Sequence, residues 1–318
     1  MPREGVLRAA LTLSTAAGRP LGPGAAGWRR TRVFVASRSA RFGAGTLLVV
    51  FLSALAPGLV APVDPNEQRL TARFVPPASR AADGTLAVLG TDQLGRDVLS
   101  RLVFGARTSV LIGLSAMLVA GLTGASLGLL AGMRGGAWDD AIMRLADLQC
   151  AFPFILLAIT VIGVFGPSIT NIVLVVGIGN WVAYARIVRA ETLAIREKAY
   201  VDAARALGRS LTGVVGRHVL PNVNASLIVV ATFGVAGAVL TEAGLSFLGL
   251  GVPLDIPSWG GMLAEGRQFV DTRYWLALFP GAALFLTVMA INFLGDALRD
   301  ALDPHLQARQ ARTSVDQL

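Results

Sequence analysis

The amino-acid sequence predicts an all-α integral membrane protein with six transmembrane helices. Three observations carry that expectation. The 318-residue chain has only 15% charged residues, where an ordinary soluble domain has about 25%. Its mean hydropathy is +0.62, and a soluble chain so apolar would have no way to cover its surface, whereas a bilayer accepts helices that are apolar all round. The apolar residues also gather in uncharged runs close to the roughly 20 residues that a spanning helix needs, without the two-residue alternation of a barrel wall. The 36 glycines fit the same picture, because small residues let helix backbones approach closely in a membrane bundle.

In chain order, residues 1–41 form an Ala/Gly-rich N-terminal segment without clear periodicity before Arg29. Residues 42–63 are the first span, bounded by Arg41 and Asp64. This run is longer than a signal-peptide core and has a long segment before it, so we read it as an anchor. After a polar segment over 64–107, residues 108–133 are the second span. The run 148–185 is too long for one helix and breaks at Gly163–Ser168, which contains Gly166 and Pro167, giving spans three and four as a hairpin. Residues 219–241 are the fifth span and 274–295 the sixth. Residues 108–295 are thus a five-helix core, and 296–318 a tail.

Charge orients the bundle. Of the 28 Arg and Lys, 20 fall on the side that holds the N-terminus, the 134–147 and 186–217 loops and the tail. The positive-inside bias then predicts both termini in the cytoplasm and the 64–107 and 242–273 segments outside. The net charge of +8 is spread along the chain, which argues against a nucleic-acid partner. The single cysteine, Cys150, allows no intrachain disulfide, and its apolar surroundings predict a small buried side chain.

The loop between spans four and five is the most informative stretch. Residues 186–207 are rich in helix formers, with Leu193, Ala199 or Tyr200, Ala203, Ala206 and Leu207 at roughly helical spacing. Gly208 suits a left-handed cap. A second short helix fits Leu211–His218, and Pro221 stands at the start of span five, where a missing N–H costs little. A helix, a glycine turn and a second helix with small residues on one face suit docking into a groove on a partner. Periodicity alone favours the other reading, a solvated amphipathic loop.

The residues Asp202-Ala203-Ala204, then Gly208, then His218-Val219-Leu220-Pro221, resemble the coupling motif of ABC importer permeases: Glu-Ala-Ala, three residues, Gly, and later His-x-Leu-Pro. Asp202 stands where that family usually has glutamate and keeps the carboxylate on a shorter arm. Residues 90–101 (Gly90-Thr91-Asp92 to Arg101), 55–65, 257–263 (Pro257-Ser258-Trp259-Gly260-Gly261) and 295–304 are similar to the dipeptide/oligopeptide/nickel branch, and to its C-type subunit. The resemblance runs from about Arg29 to Pro304. It implies the type I importer permease fold, half of a translocation pore for di- or oligopeptides, and a coupling loop at 189–221 that docks on an ATPase. It also implies a heterodimeric second permease subunit, two ATP-binding subunits, an extracytoplasmic solute-binding protein, and a place among the lipids of a bacterial inner membrane. Nickel complexes or another small solute are the alternative cargo.

Other residues keep two readings. Asp92 is able to cap a helix, and Asp97 and Arg101, four apart, to pair on the surface of an interfacial helix. Trp259, Phe269 and Trp275 fit an aromatic belt or a cover over the pore mouth. Glu242, near the end of span five, is a pore or gate residue if it lies at membrane depth, or interfacial if the span ends earlier. His218 beside Arg217 reads as a helix-end contact. The sequence has no P-loop for ATP, no His/Cys cluster for a metal and no nucleophile elbow, so no cofactor, metal site or catalytic residue is expected. Paired intramembrane carboxylates and matching halves, the marks of a secondary carrier, are missing too.

Overall fold

The computed structural model describes residues 37–82 and 84–302. The expected N-terminal segment before Ser37, Pro304, His305 and the rest of the tail lie outside the described residues. Helix α1 is Arg38–Leu55, capped by Ser37, whose hydroxyl accepts from the Ala40 N–H. It stops at Ala56 because the following Pro57 disfavours a helical backbone there, and the run continues as the short α2 (Pro57–Val60). A small hairpin of β1 (Ser79–Arg80) and β2 (Leu86–Ala87) follows, with Ser79 opposite Ala87.

Helix α3 (Val98–Arg134) has 37 residues and begins ten residues before the uncharged run, because Asp97 caps it by accepting from the Ser100 N–H at 2.7 Å. Gly135, at φ +65°, ends it. Helices α4 (Gly136–Ala151) and α5 (Phe154–Phe165) meet at a bend of 86° over Phe152-Pro153. The break between spans three and four stands where glycine and proline put it: α5 ends at Phe165, and α6 (Ile169–Arg196) starts from the cap Ser168. Then come α7 (Ala199–Ala206), α8 (Leu211–Val214), a π-helical turn over Val215–Val219, and α9 (Leu220–Phe247). Helix α10 (Trp259–Gly266) and helix α11 (Trp275–Leu302) are the last helices of the described residues.

Among the described residues, five helical stretches are long and apolar enough to cross a membrane, and the bent α4–α5 pair makes six if it is one broken span. Helix α5 alone, with 12 residues, reaches about 18 Å, short of the roughly 30 Å hydrocarbon core. Several helices run past the ends of the uncharged runs: α9 continues to Phe247 and α11 to Leu302.

Helix α3 is the axis, touching α1, α4, α6 and α9, and its contact with α6 is the most extensive in the molecule. The cause is a small residue at every fourth position on one face: Ala116, Ala120, Gly124, Gly128 and Gly132, all buried. A Cβ on Gly128 would stand 2.5 Å from the Ala185 carbonyl, and one on Gly132 2.7 Å from Thr192 Cβ. Without a hydrophobic drive between helices in lipid, such close backbone contact is what packing rests on. Asp139 with Arg189, and Asp147 with Arg186 at 2.7 Å, tie α4 to α6.

Cys150 corrects the sequence expectation: it is exposed, as are Leu145, Leu148 and Phe152 around it. An apolar neighbourhood implies burial only in water; toward lipid, outward-facing side chains are apolar too.

Candidate functional site

At the end of the bundle opposite the β-hairpin, α7, α8 and the π turn make one rigid projection. Three valines anchor it. Val201, Val214 and Val219 are fully buried against Met133, Val188, Ile195 and Val223. Gly208 makes the turn possible. At φ +82°, it donates to the Arg205 carbonyl while Arg209 donates to the Ala204 carbonyl, a pair of bonds that closes the carbonyl end of α7 and needs a left-handed residue between them. Ser210 then caps α8 by accepting from the Gly213 N–H at 3.3 Å.

The π turn has a local cause. Pro221 carries no N–H, so the ordinary four-residue ladder is interrupted there, and the Leu220 N–H reaches back five residues to the Val215 carbonyl. Pro221 thus stands in the first turn of α9, as expected, and the chain runs into it from α8 through the π turn without a break, Leu211–Phe247. Asn222 Nδ2 donates at 2.6 Å to the His218 carbonyl. The His218 ring lies 5.8 Å from that of Tyr200, so it is a contact between the π turn and α7.

The residues singled out in sequence are brought together here. Asp202, Ala203, Gly208 and Pro221 are exposed, and Ala204, His218 and Leu220 are half-buried. The inward residue of α7 is Val201, which the periodicity reading passed over. The apolar positions chosen for the face, Ala203, Ala206 and Leu207, point outward, Leu207 with 88% of its surface exposed.

The opposite end is closed by a cap whose key is ionic. Asp92 accepts from Arg96 Nε at 2.5 Å and Arg101 Nη1 at 2.8 Å, and from the Leu94 and Arg96 N–H groups. Glu265 on α10 accepts from Arg96 Nη2 at 2.5 Å, Arg101 Nη1 at 2.7 Å and Gln93 Nε2 at 3.1 Å. Two carboxylates and two guanidinium groups thus balance in a largely buried cluster. Burial by itself raises the Glu265 carboxyl. The Arg101 hydrogen bond and the charges of Arg101 and Arg96 more than offset that, holding it below its ordinary value.

Two expectations fall here. Asp97 is the helix cap and Arg101 is buried in the cluster, so they are not a surface pair. Trp259 and Trp275 are buried, donating to the Leu102 and Thr91 carbonyls, so they are not a belt toward lipid. Their indole N–H groups found carbonyl partners inside the cap instead. Glu265 lies 164 residues from Arg101, and no local spacing announces it.

Glu242 is completely buried, five residues before the end of α9. Its carboxylate accepts from Ser246 Oγ at 2.7 Å and Ser109 Oγ at 3.3 Å, and the Trp259 N–H donates to Ser109 Oγ. It lies about 33 Å along α9 from Leu220, at about 1.5 Å per residue, so the structure does not join it to the α7–α8 projection.

The profile of one family, the binding-protein-dependent transport system inner membrane component, matches residues 124–308. The chain is 43% identical over 82% of its length to the di/tripeptide transport system permease protein DppC of Pseudomonas aeruginosa (strain UCBPP-PA14), covering 86% of that protein. It is 44% identical over 69% of its length to the glutathione transport system permease protein GsiD of Pectobacterium atrosepticum, covering 72% of it. Among solved structures, an inward-facing form of the MetNI methionine ABC transporter aligns with a TM-score of 0.52 at 19% identity, over 64% of this chain and 96% of that one. At that identity the likeness speaks for the fold.

Proposed function

This chain belongs to the family of binding-protein-dependent transport system inner membrane components, and from that premise we propose that it forms half of the pore of an ATP-driven importer for short peptides. The relatives named for di/tripeptides and for glutathione support the cargo. The chain is a non-catalytic, multi-pass inner-membrane subunit. A second permease subunit completes the pore as a heterodimer, a solute-binding protein delivers peptide to the cap end, and two separate subunits hydrolyse ATP at the other. Both termini are cytoplasmic, consistent with the skew of Arg and Lys.

The observation that carries the reading is the projection at 199–221. Its valines lock it to α3, α6 and α9, while Asp202, Ala203 and Leu207 stand outward. A contact surface rigidly joined to three spanning helices is able to convert movement of an ATPase into movement of the pore. The two states of the pore must differ in their contacts for ATP to shift them, and residues 189–221 are where we assign those contacts. Glu242, tied to Ser109 on α3 and near Trp259 of α10, is the candidate gate residue at the cap end.

The test is uptake of a labelled dipeptide by cells with and without the gene. Deletion abolishes uptake, the unaltered gene restores it, and Gly208→Arg does not, although the protein is still inserted. Full transport by Gly208→Arg would remove the docking assignment.

A further inference from the structure

Halfway along α3, α6 and α9, a cleft of about 270 Å³ opens between them. That volume is at the low end for ligand pockets, which run from about 300 Å³ upward. Its walls are almost wholly apolar and uncharged, formed by Met117, Val176, Val230, Phe233 and several Ala and Gly residues. Two polar residues line it, Tyr184 and Asn180, one turn apart on α6.

Tyr184 is only 3% exposed, yet its hydroxyl has no hydrogen-bond partner among the described residues. The ring is fixed. Its Cβ packs against Gly124 and its edge lies over Gly121, while the hydroxyl lies against Gly234, where a Cβ would collide with it. A phenol held in place at mid-membrane depth with no partner is costly, because neither lipid nor the surrounding helices satisfy it. Asn180 is satisfied on one side only: Nδ2 donates at 2.7 Å to the Val176 carbonyl, leaving Oδ1 free to accept.

We propose that this cleft is a peptide-contact site on the translocation path, in which Asn180 Oδ1 accepts from a peptide N–H and the Tyr184 hydroxyl, covered by Gly234 of α9 in this state, donates to a peptide carbonyl once α6 and α9 part as the pore changes state. The apolar walls take an uncharged side chain, and the absence of charge in the lining leaves the terminal ammonium and carboxylate outside it. The ligand class is therefore a short peptide presented by its backbone amide and an apolar side chain. The inference rests on the peptide reading of the previous subsection and adds where the cargo is touched.

The experiment uses the complete importer, reconstituted in vesicles with its ATPase subunits and saturating binding protein. Two cargoes are compared, dileucine and its analogue N-methylated at the peptide bond, which lacks the N–H. Copurification of the ATPase subunits checks that each variant assembles. Loss of one hydrogen bond lowers a rate about fivefold. Tyr184→Phe, which keeps the ring, lowers transport of both cargoes by about that factor. Asn180→Ala lowers dileucine alike but leaves the N-methylated peptide at its unaltered rate, a selectivity that a packing role would not produce. Equal slowing of both cargoes by Asn180→Ala, or no slowing by either variant, overturns the proposal; the cleft is then filled by water or by a helix of the second permease subunit. If the unaltered importer moves neither peptide, the peptide reading itself fails and the inference falls with it.

Discussion

Gly208 is where a single residue sets the shape of the candidate coupling surface. A Cβ there would meet nothing within 4 Å, so any cost of substitution comes from the backbone at φ +82°. For an L-residue that cost is about 1–2 kcal/mol, less for asparagine. Uptake should therefore fall in the order Gly208, Gly208→Asn, Gly208→Ala, with membrane insertion equal for all; equal uptake by the alanine variant would show that the turn does not need this conformation. The turn was legible in the sequence because glycine's backbone freedom is a local property. Val201 was not, since one inward valine on an eight-residue helix has no period to reveal it. Glu265 is a second residue with a large expected effect. Its carboxyl sits below its ordinary value in the folded protein, so its contribution is fully present above the unfolded value of about 4.3 and is lost as pH falls through the lower folded value. Glu265→Gln leaves two guanidinium groups facing Asp92 alone and should cost about 3 kcal/mol at neutral pH. Thermal unfolding of the detergent-solubilised protein should show the lower midpoint in the variant, and a shallower decline as the pH falls below the unfolded value of about 4.3. A variant as stable as the parent at pH 7 would mean the cluster does not hold the cap.

The elements that matter most are α3 and α6, and their contact depends on what α3 lacks. Gly128→Ala puts a methyl group 2.5 Å from the Ala185 carbonyl, and overpacking of this kind costs about 1–3 kcal/mol. Gly163→Ala is the control, because a Cβ there meets nothing within 4 Å and alanine favours a helix. The first should lower the unfolding midpoint of the purified protein and the second should leave it level or raise it. Hydropathy made α3, α6, α9 and α11 visible, since a spanning helix must be apolar over its length. It misjudged their ends, because Asp97 caps α3 among ionisable residues that belong to the cap rather than to water. The 86° bend after Ala151 also escaped it. Hydropathy has no direction, and only Pro153 marked the place.

Across the whole molecule, an ionic cap at one end and the helical projection at the other are joined through helices packed glycine to backbone. The projection was legible as a motif and its docking face was not, because which side of α7 faces out is decided by residues on α3 and α6. The account stands on that projection meeting the ATPase. The direct measurement is disulfide trapping in the assembled importer, with Cys150→Ser to remove the exposed native thiol, Ala203→Cys on the permease, and single cysteines placed along the facing groove of the ATPase subunit. The account predicts an adduct of permease and ATPase whose yield changes when ATP is added, together with inhibition of peptide uptake that reduction relieves. An importer that still takes up peptide while Ala203→Cys forms no adduct at any groove position, and reacts freely with a water-soluble thiol reagent throughout, would contradict it.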